Sequence, residues 1–328
     1  VPQTQFRDPF VFRHGAWWYL AVGASEFNQR GQVLLYRSAD GIDWRYLHPL
    51  HAAPRLAQGI MWECPCFVPL KGGRWLLTVS VWPNLGAWWW IGRFESERFV
   101  PETDGVLDPD GSAFAHLATA GPDGRTLQWS WLDEQRSASA REAAGWAGAL
   151  SVPRELDVDA RGRLLARPAS ELAALRHPEA LTRLTAQHGH GTLARWQGAC
   201  SDIEARFTLH ERRCCGLTLL ADDDGSEATR VVWSPEARRL TIEREASSLD
   251  RDTRHQNVHA MLLLDDGEPL DLRVLLDHSV LEVFANGRLT LSTRVYPAQA
   301  DSLRASAWAE GEASLDLSVW AMRPLGRS

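Results

Sequence analysis

The stretch Met61-Trp62-Glu63-Cys64-Pro65-Cys66-Phe67-Val68-Pro69-Leu70 sets one carboxylate at the start of an apolar run of strand character. An indole, a thiol and a proline surround Glu63, and such neighbours exclude water from a carboxyl group. A carboxyl group in this setting is a candidate general acid. The alternative is a solvent-exposed Glu at the entry of a strand, and the rest of the sequence decides between the two.

Short apolar runs separated by turn residues continue on both sides of this stretch and fall into three sets of about four strands. The predicted strands are Pro9–Phe12, Trp17–Gly23, Val33–Arg37 and Trp44–Leu47, then Trp62–Leu70, Trp75–Val81, Trp88–Phe94 and Arg98–Val100, then Ala113–Thr119, Thr126–Leu132, Gly148–Val158 and Leu164–Ala166. Four strands in about 50 residues are typical of one β-propeller blade.

Propellers close with about four to eight blades, so three blades would leave the central channel open. The spacing therefore predicts a partial propeller over residues 1–168, with further blades encoded upstream of Val1. An open stack of sheets or a sandwich is the alternative for this half of the chain. Arg167–Arg176 is predicted to contain one or two helical turns, with Ser170 as a possible N-cap, and a linker is predicted over 169–185.

From residue 186 the pattern changes to longer alternating strands with Asp-Gly and Asn-Gly turns. Alternation over so many segments predicts an antiparallel β-sandwich over 186–328. The sequence as a whole thus predicts an all-β protein, a partial propeller followed by a sandwich.

Charge and cysteine content exclude several classes of partner. A formal net charge of −7 and a pI near 5.9 argue against binding to nucleic acid or to an anionic membrane surface. The five cysteines form no regular framework, and Cys64-x-Cys66 is too short for a metal-binding knuckle and has no His pair to complete a site. We therefore expect neither a metal nor another cofactor.

Asp8, in Phe6-Arg7-Asp8-Pro9, stands at the start of the first strand of its blade as Glu63 does, and the two are 63 − 8 = 55 residues apart, about one blade. Because first strands line the channel, both carboxylates are expected to face one pocket. Two acids facing a shared cavity are the arrangement that glycoside hydrolysis uses. Arg7 is expected to pair with the charge of Asp8 and to donate to sugar hydroxyls.

Several motifs in a common order resemble glycoside hydrolase family 32, the β-fructofuranosidases of the invertase, inulinase and levanase types. The motifs are Arg7-Asp8-Pro9, Trp62-Glu63-Cys64-Pro65, Leu127–Leu132, Trp146–Leu156 and Asp277–Gly287. The resemblance extends over essentially the whole chain, and it implies a five-bladed propeller joined to a β-sandwich and a sucrose or fructan substrate.

The resemblance also implies roles for individual residues. Glu63 would be the general acid/base, Asp8 the transition-state stabiliser that binds fructosyl hydroxyls, and Arg7 a substrate contact. Trp129 and Trp131 are candidates for the pocket wall, since alternate residues of a strand share one face and an indole can stack on a sugar ring.

A sugar-contacting aspartate of the family is matched by either Asp108 or Asp110 in Leu107-Asp108-Pro109-Asp110-Gly111, and the irregular spacing leaves both open.

One motif of the family is missing. Its nucleophile is an aspartate in an Asn-Asp-Pro-Asn-Gly motif, and no Asn-Asp-Pro-Asn occurs in these 328 residues. A retaining mechanism needs that carboxylate about 5–5.5 Å from the acid/base. The sequence thus predicts a retaining β-fructosidase whose N-terminal part, roughly a hundred residues at about 50 per blade, is absent here. A non-catalytic fructan-binding propeller and a fructosyltransferase are the alternatives.

Overall fold

The structure, a computed structural model, describes residues 3–54, 58–83, 86–109 and 112–324. Three sheets form the first part of the chain. Their strands are β1 (Gln3–His14), β2 (Trp17–Glu26), β3 (Arg30–Ser38), β4 (Arg45–Ala52), β5 (Met61–Pro69), β6 (Trp75–Trp82), β7 (Ala87–Glu95), β8 (Arg98–Leu107), β9 (Ala113–Ala120), β10 (Thr126–Leu132), β11 (Ala149–Leu150), β12 (Arg154–Val158) and β13 (Leu164–Pro168).

The first two sheets are four-stranded meanders in the orders β1-β2-β3-β4 and β5-β6-β7-β8. The third has the order β11-β10-β12-β13, with β9 also paired to β10. These sheets are propeller blades, and the prediction of three blades from the strand spacing is confirmed. A 3-10 turn at Lys71–Gly73 joins β5 to β6.

The first two blades pack through Trp62, which has no exposed surface. Its indole lies against Gly31, where a Cβ atom would come within 2.4 Å of the ring, and its carbonyl lies against Gly23, where a Cβ would come within 2.3 Å. Trp62 Nε1 donates to the carbonyl of Gln58 at 2.7 Å, and the ring centroid is 4.7 Å from that of Trp90. The residue next to Glu63 is therefore fixed by packing that only glycines permit.

The second part of the chain is a β-sandwich. Its strands are β14 (Arg176–Gln197), β15 (Cys200–Leu209), β16 (Cys215–Ala221), β17 (Thr229–Ser234), β18 (Arg239–Glu243), β19 (Val258–Met261), β20 (Leu270–Asp277), β21 (Val280–Ala285), β22 (Leu289–Arg294) and β23 (Arg304–Met322). All described pairings among them are antiparallel. The predicted fold class, all-β with blades followed by a sandwich, is confirmed.

Two long strands run through both layers of the sandwich. The first part of β23 pairs with β16, from Arg304 to Ala309, and its second part pairs with β15, from Ala313 to Ala321. Strand β14 follows β23 along its length, with register shifts between Ala186 and Gly191 where the strands pass from one layer to the other. Strands that switch layers through bulges are a known way of making the corner of a sandwich.

The expected linker over 169–185 is wrong for its second half. A 3-10 turn occupies Ser170–Leu175, and β14 begins at Arg176, whose Cα is paired with that of Met322. The sequence did not predict this strand because residues 176–185 are exposed or half-buried, so they do not show the alternation of buried and exposed residues that is typical of a strand.

One α-helix, α1 (Ala138–Ala144), lies in the described ranges, between the predicted strands Thr126–Leu132 and Gly148–Val158, where the sequence analysis predicted no element. Ser137 caps its start by accepting from the amide of Ala140, and Gly145 ends it in the left-handed conformation. None of its residues is buried, so it has no apolar face to reveal it. No helix in the described ranges is long and apolar enough to cross a membrane.

The chain divides into two compact units, residues 1–131 with 150–169, and residues 132–149 with 170–328. The segment 132–149 thus belongs to the second unit, although it lies within the range 1–168 expected for the propeller.

Candidate active site

The innermost strands of the first two blades are each interrupted by a residue that precedes proline. Asp8 before Pro9 has a φ of 57° and Cys64 before Pro65 a φ of 47°. The strand registers shift at the same places, between Arg7 and Pro9 and between Glu63 and Cys66. Because proline has no N–H to continue the ladder, each strand forms a bulge there, and a bulge re-aims the side chains beside it.

These bulges correct the expected correspondence between the blades. By their left-handed backbone and the proline that follows, Cys64 is the counterpart of Asp8, and Glu63 is the counterpart of Arg7, 56 residues away. Glu63 and Asp8 therefore occupy neighbouring positions of one repeated bulge and not the same position of two blades. An X-Pro pair at the start of a predicted strand or inside it is the sequence signal that would have indicated the bulge.

Arg7 pairs with Glu63 and not, as expected, with Asp8. Its Nε and Nη2 atoms donate to the same oxygen, Glu63 Oε1, at 2.9 and 2.7 Å. The Glu63 side chain is 18% exposed. Within the described ranges its Oε2 atom accepts no hydrogen bond. One oxygen of the carboxyl group is thus held in place while the other is available to a ligand.

Asp8 is held by the residue after Glu63. Its Oδ2 atom accepts from the Cys64 amide at 3.0 Å and from the Cys64 thiol at 3.7 Å. Burial, followed by the charge of Asp8, raises the pKa of Cys64 to about 12, so the thiol keeps its proton and acts as a donor. The sequence had not indicated this role for Cys64.

The structure thus brings Asp8 and Glu63 together on adjacent inner strands. A carboxyl group with one uncommitted oxygen can transfer a proton to or from a bound hydroxyl or ether oxygen. A second, ionised carboxylate beside it can stabilise positive charge that develops on a sugar ring. In the described ranges no group of three or more His, Cys, Asp or Glu side chains is arranged to hold a metal ion.

The two candidate wall residues lie on β10. Trp129 is half-buried and Trp131 is 43% exposed, and both lie on the strand face opposite the buried Gln128 and Ser130. The Trp131 ring is therefore accessible to a ligand.

Asp108 does not fit the expected role of a sugar contact. Its side chain is fully buried, and its Oδ2 atom lies 2.9 Å from Nη2 of Arg154, which is equally buried. A carboxylate with no exposed surface offers a sugar nothing to bind, so we assign Asp108 to the packing of the blades. The alternative residue, Asp110, lies outside the described residues.

Propeller blades carrying a carboxylate pair on their inner strands, followed by a β-sandwich, place the chain among the glycoside hydrolases. The family model "Glycosyl hydrolases family 32 N-terminal domain" matches residues 2–168, and "Glycosyl hydrolases family 32 C terminal" matches residues 171–321. The chain belongs to glycosyl hydrolases family 32.

Two curated relatives match the chain over most of its length. The chain is 32% identical over 334 residues to raffinose invertase of Escherichia coli, covering 96% of this chain and 66% of the relative. It is 27% identical over 307 residues to sucrose-6-phosphate hydrolase of Escherichia coli, covering 89% and 61%. The chain therefore spans somewhat less than two thirds of the length of these curated relatives.

Among solved structures, fructan 1-exohydrolase IIa from Cichorium intybus superimposes with a TM-score of 0.82 at 22% identity, covering 97% of this chain and 72% of that one. At that identity the likeness concerns the fold alone.

Proposed function

We propose that the chain carries the acid/base and the stabilising carboxylate of a retaining β-fructosidase. Glu63 is the general acid/base and Asp8 the transition-state stabiliser. The observation that carries the proposal is the unequal use of the Glu63 carboxyl group, since Arg7 donates twice to Oε1 and Oε2 is left for the reaction. Membership in glycosyl hydrolases family 32 supports the same roles.

In the proposed reaction, Glu63 gives a proton through Oε2 to the glycosidic oxygen as the bond from that oxygen to the fructosyl carbon breaks and a nucleophile bonds to that carbon. Positive charge develops on the fructosyl ring, and the ionised Asp8 stabilises it while accepting from ring hydroxyls. The Cys64 amide keeps Asp8 oriented by occupying Oδ2. Glu63, then deprotonated, removes a proton from a water molecule, whose oxygen replaces the nucleophile at the fructosyl carbon and releases the sugar.

The nucleophile of this mechanism is proposed to come from outside the 328 residues. No Asn-Asp-Pro-Asn occurs in them, and Asp108, buried against Arg154, is unsuited to attack a sugar. On this proposal the chain alone does not hydrolyse β-fructosides.

The proposed substrate is the terminal fructosyl unit of sucrose or of a fructan. Support comes from the names of relatives, an invertase for raffinose and a hydrolase for sucrose 6-phosphate, and from a neighbouring structure described as a fructan 1-exohydrolase in complex with 1-kestose. The exposed indole of Trp131 is proposed to form part of the wall, where it would stack on a sugar ring.

The test compares the 328-residue chain with a longer protein that includes its upstream reading frame, each assayed on sucrose and inulin. We expect no hydrolysis by the chain and hydrolysis by the longer protein, whose added sequence should contain an in-frame Asn-Asp-Pro-Asn-Gly. A robust rate from the chain alone would contradict the proposed origin of the nucleophile.

A second candidate is a non-catalytic fructan-binding protein, and the missing nucleophile motif is the observation that favours it. It predicts a genuine start codon at the position of Val1 and fructan binding without cleavage by every form of the protein.

Product analysis in excess sucrose separates hydrolysis from fructosyl transfer, because transfer yields oligosaccharides in addition to free hexoses.

A further inference from the structure

A second cleft lies at the edge of the first two blades, formed by the β1–β2 turn and the β7–β8 turn. We call it the blade-edge cleft and define it by His14, Gly15, Trp17, Tyr19, Ser96 and Glu97. Its volume is about 380 Å³, within the range of roughly 300–1,000 Å³ that small-molecule sites occupy. Nothing in the proposed reaction uses it.

The cleft is remote from the carboxylate pair. His14 follows Asp8 by 14 − 8 = 6 residues along β1, which corresponds to roughly 20 Å at about 3.3 Å per residue. A ligand in the cleft would thus contact a part of the blades that the reacting bond does not reach.

The floor of the cleft is aromatic. Trp17 is 38% exposed, and the guanidinium of Arg37 lies over its ring, 4.1 Å from the centroid. Tyr19 is almost fully buried and stacks on Phe12 at 5.3 Å. A partly exposed indole that a guanidinium holds in place is suited to the C–H face of a sugar ring.

A carboxylate stands beside this floor. Oε1 of Glu97 accepts from Tyr19 Oη at 3.0 Å and from Arg37 Nη1 at 2.8 Å, and Oε2 accepts no hydrogen bond within the part of the chain that the structure describes. Burial, followed by the hydrogen bond to Glu97, raises the pKa of Tyr19 to about 12, so the phenol remains a donor to Glu97. Because Arg37 balances the charge of Glu97, the polar wall favours a neutral ligand with hydroxyl groups over an ion.

The turn that presents Glu97 is conformationally costly. Ser96 and Glu97 form a two-residue loop between the paired residues Glu95 and Arg98, with φ angles of 49° and 64°. Such a type I′ turn favours Asn and Gly, and ordinary side chains in it cost about 1–2 kcal/mol each. The turn thus places the Glu97 carboxylate against Tyr19 and Arg37, in the same cleft that Trp17 lines.

From these observations we infer that the blade-edge cleft is a second saccharide-binding site. It stacks one ring of a neutral oligosaccharide on Trp17 and accepts a hydroxyl hydrogen bond at Glu97. The identity of that saccharide as a part of a fructan chain rests on the proposed function; the sugar-binding chemistry does not. The site would retain a polymeric substrate while the inner-strand carboxylates act on another of its units.

Affinity electrophoresis of the 328-residue chain in gels containing inulin, levan or dextran tests the inference. We expect inulin or levan to retard the chain, and Trp17→Ala to weaken that binding at least fivefold. Ala16 also lines the cleft, and Ala16→Arg, which fills the cleft without removing a packed ring, should weaken the binding similarly. Trp82→Ala removes an indole of comparable exposure, 42%, outside the cleft and should bind as the parent does.

Thermal unfolding of each variant verifies that it is folded. Equal retardation of the parent, Trp17→Ala and Ala16→Arg overturns the inference, as does the absence of retardation in all three gels. A concentration-dependent dimer that Trp17→Ala abolishes, without retardation by any saccharide, also overturns it and identifies the face as a contact between copies.

Failure of the proposed function has a different signature. If the longer protein hydrolyses no β-fructoside but Trp17→Ala still weakens saccharide binding at least fivefold, the proposed function fails and the second site stands.

Discussion

Two carboxylates, one in the blades and one in the sandwich, differ in how many of their oxygen atoms accept hydrogen bonds. Glu227 of the sandwich is fully buried, and both its oxygens are occupied: Oε1 accepts from the amides of Leu249 and Ala298, and Oε2 from the amide of Gln299 and the hydroxyl of Ser302. Glu63 in the blades receives two donors on one oxygen only.

This difference distinguishes a carboxylate that stabilises the fold from one that can take part in a reaction. A carboxylate that satisfies four donors holds loops together and has no lone pair to spare. A carboxylate with one oxygen oriented by an arginine keeps the other for a ligand. Changes to these two side chains and to a third carboxylate, the buried Glu134, test that distinction, in order of decreasing expected effect.

Glu63→Gln should lower turnover by about a thousandfold or more in any form of the protein that cleaves β-fructosides, because glutamine has no proton to give to the leaving oxygen. The free energy of unfolding should change by less than about 1 kcal/mol, since the partly exposed side chain has only the Arg7 contacts to lose. Steady-state rates and urea unfolding measure the two quantities. Near-normal turnover would remove Glu63 from the reaction.

Glu227→Gln should instead lower the free energy of unfolding by on the order of 2–4 kcal/mol, because an amide NH₂ would face two buried donors. Urea unfolding of the 328-residue chain measures the loss, and Glu179→Gln, at an exposed carboxylate of the same unit, is the matched control. Saccharide binding in the blades should be unaffected. If Glu227→Gln were as stable as Glu179→Gln, a full set of hydrogen-bond donors would not show that a carboxylate stabilises the fold.

Glu134 extends the comparison to pH. Burial raises its pKa, but donors from Arg136, Tyr296 and the Gly148 amide outweigh burial and lower it to about 2 from an ordinary 4.5. Because the folded-state pKa is depressed, the stabilisation is fully present above about pH 4.5 and is lost as the pH falls towards 2. It corresponds to about 3 kcal/mol.

Glu134→Gln should therefore be less stable than the parent by up to about 3 kcal/mol at pH 7, and the difference should shrink between pH 4.5 and 2. Urea unfolding at pH 7, 4.5 and 3 measures this. If the difference in free energy of unfolding stayed constant over that range, the donors would not stabilise the ionised form of Glu134 over its protonated form.

The fold class and the pairing of the two acids were predictable from the sequence because each rests on a repeated local pattern. Four short strands in about 50 residues indicate a blade, and a first-strand acid in consecutive blades indicates a shared pocket. What the sequence did not reveal depends on backbone geometry. The partner of Arg7 follows from left-handed residues before Pro9 and Pro65, which shift the register by one.

The other errors have similar physical reasons. Helix α1 buries no residue and so leaves no apolar period, although its Ser137 cap and terminal Gly145 are readable. Strand β14 was partly assigned to a linker because its first half is exposed or half-buried and its pairing is interrupted by register shifts between Arg176 and Thr182.

The path of β23 also has a consequence for how the sandwich forms. This strand pairs with β16 in one layer and with β15 in the other. It also comes after every other described strand of the sandwich in the chain. During synthesis, β15 and β16 must wait for residues 304–322 before either gains its β23 neighbour. We therefore expect the sandwich to fold only after those residues leave the ribosome, as one cooperative step in which unpaired strand edges remain exposed until late.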